Sequence, residues 1–316
     1  MFVFGPVPSR RLGQSLGVNN IPAPKQCPYD CIYCQVGATP QRSIHRRSFY
    51  APQTIAEEVS RRLTECRDAG ASVDYVTFVP DGEPTLDINL GHSIELLRPL
   101  GCKIAVITNA TLIDREDVRD ELLSADWVSL KVDSVDPRTW RAVNRPYPGL
   151  RLDDLLDGMR TFAEAFSGEL TTETLLVRDL NDSADCVESV AAFLQELEPA
   201  VAYIAATTRP PAEPWVRAPE ELILNQAYQI FDRHLDRVEY LLGYADAPFH
   251  ATSDPAQAIL SITAVHPMRE EEALGYIEQM GGEPAVLSDL VQSGRLTCIP
   301  YERQRFYVRR ATPATN

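Results

Sequence analysis

The chain of 316 residues has no run approaching the ~20 consecutive apolar residues that a bilayer-spanning helix needs. Its opening, MFVFGPVPSRR, lacks the basic-then-apolar order of a secretory signal. A cytoplasmic protein with no membrane partner is the expectation. Positive charge is in short supply: the formal net charge is −15, which argues against broad, salt-driven binding to a phosphate backbone. Lysine is scarcest of all, with only Lys25, Lys103 and Lys131 among the 30 basic residues. Nor is there an even set of cysteines. Seven in a long chain without a secretory signal argue against a disulfide framework. Cys66, Cys102 and Cys186 read as small residues packed on helices or strands.

What is present is an alternation of helix and strand periods. Thr54 with Glu57 reads as a capping box opening a helix over 54–70. VDYVTFVP (73–80) is a strand, and a helix near 90–98 precedes the strand KIAVITN (103–109). Asp114 is placed to cap a helix to about 124, followed by the strand WVSLKVD (127–133). A helix from Asp153 to about 167 leads to the strand ELTTETLLV (169–177). A helix over 183–197, the strand VAYIAA (201–206) and a helix over 219–235 complete the run. With an early strand at SLGVN (15–19) there are six strands, nearly all followed by helices. That order implies parallel strands with right-handed crossovers. Six units are too few for an eight-stranded barrel, so the fold class is α/β, a partial (β/α)6 barrel. Its chemistry belongs at the C-terminal strand ends.

CPYDCIYC places Cys27, Cys31 and Cys34 in a loop after the first strand. Thiolates are the usual ligands of iron–sulfur clusters, and a [4Fe–4S] cube takes four. Three close cysteines without a fourth leave one iron open, able to chelate the amino and carboxylate groups of S-adenosylmethionine (SAM). Zinc is the rival. It needs a fourth ligand, and His45 lies eleven residues on, outside the usual paired spacings.

With those residues in place, the chain to about residue 240 resembles the radical SAM superfamily. Tyr33, the aromatic before the third cysteine, matches the family residue that lies beside adenine. Asp81-Gly82-Glu83-Pro84 resembles the family's Gly-Glu-Pro element, with Asp81 where Gly is commoner. The resemblance implies that Gly82 and Glu83 meet the SAM amino group. Thr108 and Asn109 resemble another SAM-contacting strand end. FGPVPSRRLGQSLGVN, with the cysteine loop, Gln35 and the stretch from SITAVHPMRE onward, is similar to a subgroup holding tRNA wyosine synthases and their relatives. Wyosine-forming enzymes carry a second cluster on upstream cysteines and a lysine that captures pyruvate. No cysteine precedes Cys27 here, so wyosine chemistry is not expected.

Strand alternation sorts 127–133 into two faces. Val128, Leu130 and Val132 suit packing under helices; Ser129, Lys131 and Asp133 would face the lumen. A lysine inside a closed strand is costly unless paired or working. Lys131 is therefore an anchor for a SAM or substrate carboxylate, a Schiff-base amine if its pKa is depressed, or half of an ion pair with Asp133 or Glu173. Glu173 is either a lumen residue or a sheet-edge residue. Arg209, after the sixth strand, suits a substrate carboxylate or phosphate. Arg10 and Arg11 fall at one end of the barrel or the other. Lys25 offsets cluster charge or is solvated. Asp182 reads as a helix N-cap, and Asn181 as a residue reaching SAM.

Past residue 250 the character changes. Helices over 267–281 and 284–293 and a hairpin over 295–310 suggest a small winged-helix-like domain (255–312) appended to the barrel (1–245), with a polar tail at 311–316. The hairpin carries Arg295, Arg303, Arg305, Arg309 and Arg310 against Glu302, a candidate nucleic-acid contact; Glu270-Glu271-Glu272 weigh against it. The domain is equally suited to covering the barrel mouth or supplying Cys298 or Tyr301. The leading expectation is an enzyme that abstracts hydrogen from a substrate with a deoxyadenosyl radical, fed electrons by ferredoxin or flavodoxin. A tRNA-modifying enzyme of wyosine type and an iron–sulfur regulator binding nucleic acid are the alternatives.

Overall fold

The parallel strands alternate with helices, and the reason is visible in which residues are apolar. The computed structural model describes residues 2–241, 254–265, 267–301 and 304–309. The strands are β1 (Val3–Ser9), β2 (Gly13–Val18), β3 (Tyr75–Phe78), β4 (Lys103–Thr108), β5 (Trp127–Lys131), β6 (Glu169–Leu176), β7 (Val201–Ala206) and β8 (Val238–Leu241). They form one curled sheet in the order of the chain. β2 to β8 are parallel, and β1 adds antiparallel to β2. Between the parallel strands run α1 (Pro52–Asp68), α2 (Leu90–Leu97), α3 (Glu116–Leu122), α4 (Pro137–Asn144), α5 (Leu152–Ala165), α6 (Ala184–Leu197) and α7 (Glu221–His234). One face of every strand joins the core under these helices. In β5 that face is Val128 and Leu130, with Val132 just beyond.

The six expected strands are all present, and two more extend the half-barrel at its edges. β1 was hidden by its prolines and glycine: Gly5-Pro6 sits in a bulge between Phe4 and Val7, and Pro8 pairs with Gln14 just beyond it, which an edge strand tolerates. β8 has four residues among those described. Helix starts also differ in detail. α1 begins at Pro52 with Ala51 as N-cap, not at a Thr54 capping box. α3 begins after Arg115 and α5 after Arg151, with acids in the first turn in both. Ser183 caps α6, while Asp182 instead accepts from Asp179 N at 2.9 Å. Pro and first-turn acids suit a helix start without a side-chain cap. Cys66 is buried; Cys102 and Cys186 are half-buried.

The C-terminal unit holds α8 (Pro255–Val265), β9 (Met268–Arg269), α9 (Glu270–Gln279), α10 (Ala285–Gln292), β10 (Leu296–Tyr301) and β11 (Gln304–Arg309). Its sheet runs β10-β11-β9. The expected helix over 267–281 is in fact a short strand followed by α9, because Met268 and Arg269 pair with Tyr307 and Phe306 of β11. α8 was not expected. Its Ile259, Leu260, Ile262 and Met268 nearby form a second core with Tyr276, Leu287 and Phe4 of β1. A helix buried on several sides has no polar face to show a period. The expected boundary near 245–255 and the tail at 311–316 lie largely outside the described residues, as do Glu302, Arg303 and Arg310. Among the described residues no helix is long and apolar enough to cross a membrane.

Candidate active site

The cysteine loop lies over the C-terminal strand ends and is pinned there by backbone pairing. Gln26 bridges Gly82, and Tyr29 bridges Pro146. Asp30 N and Ile32 N donate to Asn144 O (3.0 Å) and Val143 O (3.1 Å), and Glu83 N donates to Gln26 O at 3.0 Å. Only glycine fits at 82, since a Cβ there would lie 1.9 Å from Gln26 O. Gly82 therefore sets how closely the 81–84 turn approaches the start of the cysteine run.

None of the three cysteines is in a disulfide, all line one cavity, and each sulfur has an N–H donor. Asn109 Nδ2 reaches Cys27 Sγ at 3.1 Å, Asn144 Nδ2 reaches Cys31 Sγ at 3.4 Å, and Lys25 Nζ reaches Cys34 Sγ at 3.1 Å. Donors of this kind lower the cost of thiolate charge, which an iron–sulfur cluster requires. Lys25 also binds Gly37 O at 2.6 Å, so it belongs to the cysteine loop and not to solvent. The donor set fits a cluster held by three thiolates. His45, the rival zinc ligand, is exposed.

Glu83, 1% exposed, ties the 81–84 turn to the end of β4. Its Oε1 accepts from Thr85 N (3.1 Å), Thr85 Oγ1 (2.7 Å) and Thr108 Oγ1 (2.6 Å). Its Oε2 accepts from Asn109 N alone (2.8 Å), which leaves that oxygen capacity for an ammonium group in the cavity. Burial pushes the Glu83 carboxyl up, against these four hydrogen bonds. Tyr33 lines the same cavity. Its hydroxyl donates to Asp133 Oδ2, and Lys131 Nζ lies 5.1 Å from its ring centroid.

Below the cysteine loop the cavity, about 420 Å³, continues into the lumen. Ser129 and Lys131 line it as expected; so does Glu173, which settles it as a lumen residue. Lys131 Nζ sits 2.8 Å from Glu173 Oε1 and 3.3 Å from Asp133 Oδ1. Arg11 enters from the β1–β2 turn and places Nη1 2.6 Å from Glu173 Oε2, with its guanidinium over Trp127 and Tyr203. Burial alone would lower the Lys131 pKa, but Asp133 and Glu173 overrule it and hold the ammonium charged. Of the three roles open to Lys131, the geometry shows the ion pair, and a charged ammonium on the cavity suits a carboxylate anchor better than a Schiff-base amine.

Asp133 is buried below the loop and does not line the cavity. It accepts from Tyr33, from Asn144 Nδ2 (2.7 Å) and from Leu175 N (2.9 Å). Asn181 is likewise 2% exposed and off the cavity. It donates to Asp133 O (2.9 Å) and Leu175 O (2.8 Å) and accepts from Val177 N (2.7 Å), so its side chain braces the strand ends instead of reaching SAM. Arg209 lines the cavity and links Gln35 Oε1 to Pro267 O, both at 3.2 Å. From the C-terminal unit, Glu272 also lines the cavity, and Tyr301 OH lies 3.4 Å from Thr207 Oγ1. Cys298 packs in that unit's own core. Sequence reasoning missed Asn144 and Glu272. Asp136-Pro137, an N-cap followed by proline, was the available signal for α4, which ends in Asn144.

Residues 21–193, just over half of the chain, match the model of the Radical SAM superfamily. A UPF0026 protein of Methanocaldococcus jannaschii is 41% identical over 308 residues, spanning 97% of this chain and 95% of its own. Among solved structures, a radical SAM methyltransferase from Sphaerobacter thermophilus superposes with a TM-score of 0.52 at 17% identity, over 72% of this chain and 67% of its own. TYW1 with a lysine-pyruvate adduct bound gives 0.54 at 14% identity, over 71% and 76%. These two likenesses are of fold.

Proposed function

The chain belongs to the radical SAM superfamily, and from that premise we propose an enzyme that cleaves SAM reductively to abstract hydrogen from a substrate in the lumen. Cys27, Cys31 and Cys34 would hold a [4Fe–4S] cluster. When bound, cluster and SAM together supply one-electron cleavage of a C–S bond and a deoxyadenosyl radical. The protein's share is orientation and exclusion of water. Glu83 Oε2 would take the SAM ammonium, with Gly82 letting the turn come close and Thr108 and Asn109 holding the carboxylate in place. Tyr33 would flank the adenine. Lys131, Glu173 and Arg209 line the cavity below and beside the cysteines and would meet the substrate, while Asp133 positions Tyr33 and Lys131. A low-potential ferredoxin or flavodoxin in the cytoplasm would supply the electron.

The observation that carries this reading is the arrangement of three undisulfided cysteines on one cavity, each with an N–H donor at its sulfur. The C-terminal unit, read as winged-helix-like, packs Ala258, Ile259, Leu260 and Ile262 in one core with Phe4 of β1 and sends Glu272 to the cavity. Its role in this reading is to cover the open edge of the half-barrel. The test is anaerobic: reconstitute with iron and sulfide, reduce with dithionite, add SAM and measure 5′-deoxyadenosine by mass spectrometry. Wild type is expected to form it and Cys31→Ala to form none. Methylthioadenosine in its place would mean a different bond is cleaved. Absence of any SAM fragment from iron-loaded wild type, with lysate metabolites added, would count against the reading.

A further inference from the structure

Outside the cysteine loop, on a face that shares no lining residue with the lumen cavity, lies a second, open pocket of about 490 Å³. Arg42, Arg141 and Arg145 line it with one acid, Asp30, and a second, Glu213, pairs with Arg145 beside it, so three arginines face two carboxylates. That is a local excess of positive charge on a chain whose net charge is −15. The pocket is also wired to the cysteines. Asp30 stands between Cys27 and Cys31 and lies 3.8 Å from Arg145 Nη1. Arg145 directly follows Asn144, whose Nδ2 is 3.4 Å from Cys31 Sγ. Arg42 holds this wall together by donating to Arg145 O (2.8 Å) and Pro146 O (2.7 Å). A second feature adjoins it. Glu213 N donates to Ile32 O at 2.9 Å, Glu213 Oε1 pairs with Arg145 at 2.5 Å, and two residues on Trp215 is left 54% exposed. Arginine beside an exposed tryptophan is the composition of a protein-binding face.

We propose that this face docks the electron donor, an acidic one-electron carrier protein whose carboxylates meet Arg42, Arg141 and Arg145 beside the cysteine loop. The inference rests on the radical SAM reading, because it is the cluster that must be reduced. On docking, the carrier loses one electron and the cluster gains one; no bond or proton moves. This side suits that task better than the lumen, which the C-terminal unit borders and the substrate would fill. RNA is the competing occupant for arginines. An extended phosphate backbone asks for a track of cations, whereas these three are gathered in one pocket against the cysteine loop.

The test uses the reconstituted full chain, with Arg141→Glu and Arg42→Glu made separately because Arg42 also braces backbone. Cluster bleaching is followed by stopped flow with reduced flavodoxin, with reduced ferredoxin, and with dithionite, across a salt series. Charge reversal at a docking rim acts on the association rate and its salt dependence. Arg141→Glu is expected to slow protein-driven bleaching about tenfold at low salt and flatten its salt dependence, with dithionite-driven bleaching and deoxyadenosine formation unchanged. Wild-type rates with both carriers would overturn the proposal. Equal slowing with dithionite would too, since it marks damage to the cysteine loop. So would normal carrier-driven bleaching together with loss of binding to a tRNA pool, which would assign the arginines to nucleic acid. A wild type that carriers bleach in the predicted, arginine-dependent way, yet that forms no SAM fragment, would leave the docking face standing and defeat the radical SAM reading instead.

Discussion

Asp133→Ala is expected to cost about 3–5 kcal/mol of folding stability, the usual penalty for removing one partner of a buried charge network, and to lower iron retention. Its carboxylate is the common acceptor for Tyr33, Asn144, Leu175 N and Lys131. Two of those neighbours belong to the cysteine site, because Tyr33 is adjacent to Cys34 and Asn144 donates to Cys31. Without the carboxylate, a phenol, an amide, a backbone N–H and an ammonium lose one acceptor inside the protein, and unmade buried hydrogen bonds are expensive. Urea unfolding of the metal-free protein reads the stability change, and iron per chain after desalting reads the loop. A loss of stability with wild-type iron retention would show that the loop does not depend on this carboxylate.

Glu173→Gln is expected to remove about 3 kcal/mol at neutral pH and to change how stability depends on pH. Burial would raise the Glu173 carboxyl, but Lys131 and then Arg11 outweigh it and hold it at about 2, against an ordinary 4.5. A carboxyl depressed in the folded state contributes stability that is fully present above its unfolded pKa and is lost as pH falls toward the folded one. The window here runs from about 4.5 down to about 2. In the Glu173→Gln variant that contribution is absent at every pH. The stability gap between wild type and variant should therefore be widest near pH 7 and narrow between about pH 4.5 and about pH 3. Urea unfolding of the metal-free proteins at those three pH values checks it. A gap that stays constant would place the cost in packing, not in the charges of Lys131 and Arg11.

Where the sequence had a period or a motif, fold and site were legible. The alternation in 127–133 separated Val128 and Leu130, under the helices, from Ser129 and Lys131, on the cavity, because a strand has no other way to distribute its side chains. Cys27, Cys31 and Cys34 stand out in the sequence by their close spacing, and the structure gathers all three on one cavity. What remained hidden were contacts made across long sequence separations. Arg11 meets Glu173 162 residues away, and Asn144 meets Cys31 113 residues away; neither pair leaves a local trace. Asn181 shows the opposite failure. It sits at a strand end, where a ligand contact is natural to expect, yet it is buried off the cavity and both its N–H donors go to Asp133 O and Leu175 O. Lys131 lay between the two cases: its lumen position followed from the pleat, but the choice between amine and ion pair depended on Glu173, one strand over.

The most direct test of the account is electron paramagnetic resonance on the dithionite-reduced, reconstituted protein, with and without SAM. The account predicts a reduced [4Fe–4S] signal in wild type whose g-values shift when SAM is added, because three thiolates leave one iron for it to bind, and loss of the signal in Cys27→Ala, Cys31→Ala and Cys34→Ala. A signal indifferent to SAM, or one that survives removal of any of the three cysteines, would contradict it.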